Sequence, residues 1–252
     1  MIIFLLSLFK LLAFIFSTAC LFFLKDSLKK DPNNEALSSF YGAFLFLTID
    51  FSLFLMMPLV NAFYVQILFA LDSFMVSLCM AYLVRTLLLF TYFKEFRIAA
   101  SRLIILSGMG ELWLWIKNLQ PALVFTYHFA GFDFVGWYPN LSPKLLLLKG
   151  LITISIAGVS SIFFFIKAFR SEETFIKKRS FLLGVGILFM GVAGIAKYLF
   201  GSLMPLTFWK DLFHGISIVV GAIFLFAGIS IKNPVAKTGI QTKILEKKLR
   251  EN

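Results

Sequence analysis

The chain has 252 residues, of which 60% are hydrophobic, with a mean hydropathy of +0.91. A soluble domain of that size has no interior large enough to hide so much apolar surface, so the composition excludes one and indicates a polytopic membrane protein. The net charge of +11 reads as basic loops held on one membrane face, with no call for nucleic acid.

Residues 1–24 are apolar apart from Lys10 and read as a first membrane span. A signal peptide would have a basic start and a shorter apolar core. The sequence STAC ending at Cys20 is similar to a lipoprotein cleavage box, but Ser17 stands where a branched aliphatic residue is wanted. A polar loop at 25–35, broken by Pro32 and two asparagines, leads to a second span at 36–60. Pro58 and Asn61 mark a tight turn into a third span at 62–93. A basic loop precedes a fourth span, 103–125, which carries Glu111 and Lys117. Residues 126–144 are read as an irregular, aromatic connection punctuated by Gly131, Gly136, Pro139 and Pro143. Spans five to seven follow at 145–169, 181–200 and 211–231, separated by the charged loop RSEETFIKKR and the short turn region GSLMPLTFWK. Each run is long enough for about 30 Å of hydrocarbon. The resulting division is a seven-helix membrane domain, 1–234, and a basic helical tail, 235–252.

The basic residues test the topology. Lys25, Lys29 and Lys30, then Lys94, Arg97 and Arg102, then Lys167, Arg170 and 177–179, then the tail, all belong to alternate connections. They share one face only if there are seven spans with the N-terminus outside and the C-terminus in the cytoplasm. The expectation is therefore an all-α, multi-pass protein of a bacterial-type cytoplasmic membrane. Gly184, Gly191, Gly194 and Gly201 form one stripe on the sixth span, and His214, Gly221 and Gly228 repeat every seven residues on the seventh. Small-residue stripes let helices approach closely in lipid, so these two spans are expected to pair through them.

Candidate ligand-binding residues come from charges at membrane depth. Asp50, Asp72 and Glu111 fall near the midplane of three successive spans, Glu111 there or slightly toward the cytoplasm. Carboxylates at such depth form proton or cation sites, or are satisfied by hydroxyls such as Thr48, Ser52, Ser73 and Ser77 or by a lysine. The satisfied reading is preferred, because no broken helix pair or repeated half marks a transporter. Lys117 is a poor partner for Glu111, lying about 120° around the same helix. Arg85, Lys149 and Lys197 lie toward span ends and are expected to snorkel. Lys197 is the exception to watch, since it can meet His214 or an acid. Trp137 and Tyr138 in the outer connection form either an aromatic ligand pocket or, preferably, an interfacial anchor. The 33 phenylalanines are read as lipid-facing filler.

Chemistry motifs are lacking. Cys20 and Cys79 lie in apolar runs and give no disulfide framework. His128 and His214 have no further ligands at metal-binding spacing. GVSS at 158–161 lacks the second glycine of a nucleophile elbow, and phosphate-loop and dinucleotide patterns are absent. Glu172 and Glu173 sit in a loop without the histidine motifs of intramembrane prenyl-protein proteases. No lysine lies midway along span seven, as a retinal protein requires. The chain is expected to be neither an enzyme nor a cofactor protein.

Taken as a layout, the chain resembles the seven-helix sensor region that precedes bacterial histidine kinases and diguanylate cyclases. The matching features are the polar loop KKDPNNEALSSF before span two, the outer Gly-Trp-Tyr segment before span five, KKRSFLLGVGILFMGVAG opening span six, and span seven leading into a charged helical tail. The resemblance implies a non-catalytic sensor. In that family the tail continues into a coiled coil and a catalytic module, which residues up to Asn252 do not supply, so the expected output is through a separate cytoplasmic partner or anionic lipid at the tail. The alternatives are a small proton- or cation-coupled transporter using Asp50, Asp72 and Glu111, and an accessory subunit of a membrane complex.

Overall fold

The computed structural model describes residues 2–3, 5–91, 93–129, 131–199 and 208–231. Among them, seven helices are long and apolar enough to cross a bilayer. They are α1 Leu5–Lys30, α2 Glu35–Met56, α3 Ala62–Leu89, α4 Arg97–Lys117, α5 Pro143–Arg170, α6 Thr174–Gly194 and α7 Phe208–Ser230. Asparagines read as a loop breaker and a turn marker act as caps. Asn34 accepts the Leu37 N–H at 2.9 Å to open α2, and Asn61 accepts from Phe63 and Tyr64 to open α3. The tail at 235–252 and Gly201 lie outside the described residues.

Six helices close a ring in the order α1, α2, α3, α5, α6, α7, with α7 returning to α1. The fourth helix packs on α3 at the outside and is the least buried of the seven. One end of the bundle carries the basic connections after α1, α3 and α5. The other carries a small sheet that the sequence reading did not foresee. Residues 126–144 are not an irregular connection: β2 Leu123–Phe129 and β3 Phe132–Tyr138 form an antiparallel hairpin, and β1 Ile2–Ile3 adds to β3 in parallel. Aromatic and β-branched residues favour strands, and β3 alternates burial so that Phe134, Gly136 and Tyr138 face inward. Gly131 makes the turn with φ +80°. Gly131→Ala is expected to loosen the hairpin by about 1–2 kcal/mol, read as faster hydrogen exchange at 123–138 with helical content unchanged.

The glycine stripes divide differently from expectation. A Cβ on Gly184, Gly191 or Gly194 would strike Phe165, Ala157 or Thr153, so that stripe packs α6 on α5. The close contact between α6 and α7 runs instead through Gly186, Gly221 and Gly228. Gly184 and Gly186 lie two residues apart and point to different neighbours, which a one-face stripe hides.

Candidate functional site: a buried charge cluster

The cluster begins with residues that cannot stay charged in lipid without partners. Asp50 on α2 and Asp72 on α3 are buried, and each finds a lysine from another helix. The Lys10 ammonium on α1 donates to Asp50 Oδ2 at 3.2 Å. Lys197 donates to Asp72 Oδ2. The remaining Oδ1 atoms of the two aspartates have no hydrogen-bond donor among the described residues. Two lysines and two aspartates thus join α1, α2, α3 and the end of α6 in a cluster of balanced charge.

Local structure aims these groups. After Gly194 the sixth helix widens into a π turn, Ile195–Leu199. Such turns rotate side chains out of the regular helical order and recur at functional sites. Here the turn carries Lys197 toward Asp72 and buries Tyr198. Aromatic rings enclose both ammonium groups: Phe51 and Phe54 lie 4.7 and 4.8 Å from Lys10, and Tyr198 lies 5.1 Å from Lys197. Phenylalanines read as lipid filler, such as Phe51, Phe54 and Phe69, are therefore partly the lining of this cluster.

The hairpin roofs it. The Tyr138 hydroxyl donates to the Lys197 carbonyl at 3.2 Å, and its ring lies 4.3 Å from the Lys210 ammonium. Burial pushes the Tyr138 phenol above its usual range, so it stays protonated and donating across physiological pH. Trp137, Tyr138, Lys197, Lys210, Asp211 and His214 line a cavity of about 20 Å³ above the cluster. That is room for a water and no larger guest. The His214 ring bonds through Nδ1 to the Ala193 carbonyl at 2.8 Å, and its Nε2 has no partner among the described residues. A reciprocal pair, Gln66 with the Asn140 backbone at 3.0 and 3.2 Å, fastens the segment after β3 to α3.

Glu111 is separate. It meets Lys149 of α5 at 2.7 Å and accepts from Ser73, while Lys149 also donates to Ser77 Oγ at 2.6 Å and the Ser73 carbonyl at 3.0 Å. One expectation changes here. Lys149 does not snorkel; three acceptors on α3 and α4 hold it in the core. Because α4 stops at Lys117, Glu111 lies six residues, about 9 Å, from the hairpin end.

Of the seven residues singled out from sequence, Asp50, Asp72, Lys197 and His214 converge, Trp137 and Tyr138 roof them, and Glu111 stands apart. Lys10 was missed. Its signal was plain: a single cation inside an apolar span needs a buried acid as much as Asp50 needs a cation. Among the described residues no three His, Cys, Asp or Glu side chains gather as a metal site requires. Fold and site together define a class: a multi-pass membrane protein built as a six-helix ring, with a lateral seventh helix and a lysine–aspartate cluster under a β-hairpin roof. No protein-family model matches the chain, and no curated protein matches its sequence.

Proposed function

We propose that this protein is a non-catalytic signalling module of a bacterial-type cytoplasmic membrane, with the hairpin outside and the basic loops and tail in the cytoplasm. The observation that carries this reading is the covalent and hydrogen-bonded route from the hairpin to the core. Tyr138 holds the Lys197 carbonyl, and the same residue's ammonium holds Asp72. A displacement of the roof therefore acts directly on the pair that ties α6 to α3, and α6 runs on to the basic end. Lysine pairing of Asp50, Asp72 and Glu111 supports a switch of packing over a binding site for passing cations. A partner or anionic lipid at the tail would read the output.

Tyr138→Phe tests the route, because it removes one hydrogen bond worth about 1 kcal/mol and keeps the ring. Hydrogen exchange is expected to rise in β3, in the π turn and in the basic-end half of α6. A rise confined to the hairpin would sink the coupling. A second reading, proton handling, is favoured by one observation: the Oδ1 atoms of Asp50 and Asp72, both buried, lack donors among the described residues. Flux measurements separate the two readings.

A further inference from the structure

The basic end of the ring holds a second cavity that the charge cluster does not use. It lies between α2, α3, α5 and α6, measures about 390 Å³, and falls in the size range of small-molecule sites. Its lining includes Lys167 of α5 and Arg179 of α6, both half-buried. Neither makes an ion pair among the described residues. The neighbouring acids do not serve: Glu172 and Glu173 are exposed on the connecting loop, and Glu35, beside the lining residue Ala36, is taken by Arg97 at 3.1 Å. Deeper in, the walls are mostly apolar, with Phe40, Phe164 and Leu183 beside the buried hydroxyls of Thr86 and Ser180. Phe40 is shared with a deeper cavity of about 60 Å³ whose lining has no polar surface. Two cations without a counter-charge over an apolar shaft are complementary to one kind of guest.

The geometry points to a binding site for an anionic amphiphile, its carboxylate or phosphate on Lys167 and Arg179 and its acyl chain running down past Phe40, Phe164 and Leu183. Paired cations between membrane helices at a basic face recognise acidic head groups, and the shaft supplies the apolar burial that a bare anion would not need. The assignment stands whether the chain signals or transports.

The test uses the full chain in phosphatidylcholine nanodiscs, with dansyl-labelled undecanoate as the fluorescent probe and empty nanodiscs subtracted. Saturable binding is expected, displaced by dodecanoate and not by dodecanol or inorganic phosphate. Lys167→Gln with Arg179→Gln should weaken the probe about tenfold, and Ala36→Trp, which fills the cavity, should do the same with both cations present. Lys177→Gln with Lys178→Gln, which removes two exposed charges at the same end, should leave binding unchanged. Circular dichroism and gel filtration confirm that each variant is folded. Displacement by added phosphatidylglycerol would identify the source as a bilayer lipid; its failure, with dodecanoate still competing, would identify a free single-chain acid. Equal competition by dodecanol overturns the role of the cations, and competition by phosphate alone overturns the role of the shaft. Equal loss in the Lys177 and Lys178 variant reduces the site to diffuse charge and overturns it as a whole.

Discussion

Lys197→Met is expected to destabilise the protein by about 3–5 kcal/mol, a large share of the stability of a typical domain. Asp72 has 0% exposure, so without its lysine a carboxylate is left in a medium that solvates it poorly. The large loss measures the penalty on the abandoned partner, and not the net worth of the pair. Adding Asp72→Asn removes that charge, and the double variant should regain most of what Lys197→Met loses. Thermal unfolding in detergent, followed by circular dichroism for both single variants and the double, reads this coupling directly. Additive losses would show that Asp72 and Lys197 do not act as a pair.

Gly186→Ala should be more damaging than Gly184→Ala, Gly110→Ala or Gly158→Ala, at about 1–3 kcal/mol. Its added Cβ would lie 2.9 Å from the Leu225 backbone nitrogen and 2.7 Å from the Leu225 side chain, so α6 and α7 must part. Backbone cannot step aside as a side chain can. Gly184→Ala meets only the edge of the Phe165 ring, at 2.9 Å, and a smaller loss is expected. Gly110→Ala and Gly158→Ala meet nothing within 4 Å and should be neutral or gain up to about 1 kcal/mol of helix propensity. The ranking of the four melting temperatures is the check. A loss at Gly110 or Gly158 matching that at Gly186 would contradict helix contact as the cause.

The membrane-spanning plan was legible because length and hydropathy act on whole segments and need no partner to interpret. Asp50, Asp72 and Lys197 were legible for a related reason: a charge in an apolar run demands an explanation. Their pairing was not. Lys10 stands 40 residues from Asp50 and Lys197 stands 125 from Asp72, and only ring closure brings them together. Lys149 was misjudged because distance from a helix end was weighed without knowing which face it occupied. The hairpin was obscured by its own turn residues: glycines and prolines at 126–144 suggested a loop, while the alternation in FDFVGWY was the stronger signal. The two glycine stripes on α6 could not be told apart, since the period of a helix does not say which neighbour each face meets.

The most direct test of the account is ion flux in proteoliposomes under an imposed pH or cation gradient, comparing wild type with Asp50→Asn/Asp72→Asn. If the lysine-paired acids are a structural switch, wild type will leak no faster than empty vesicles and the double variant will match it. Flux in wild type that disappears in the double variant would make the cluster a conduction site and contradict the signalling account.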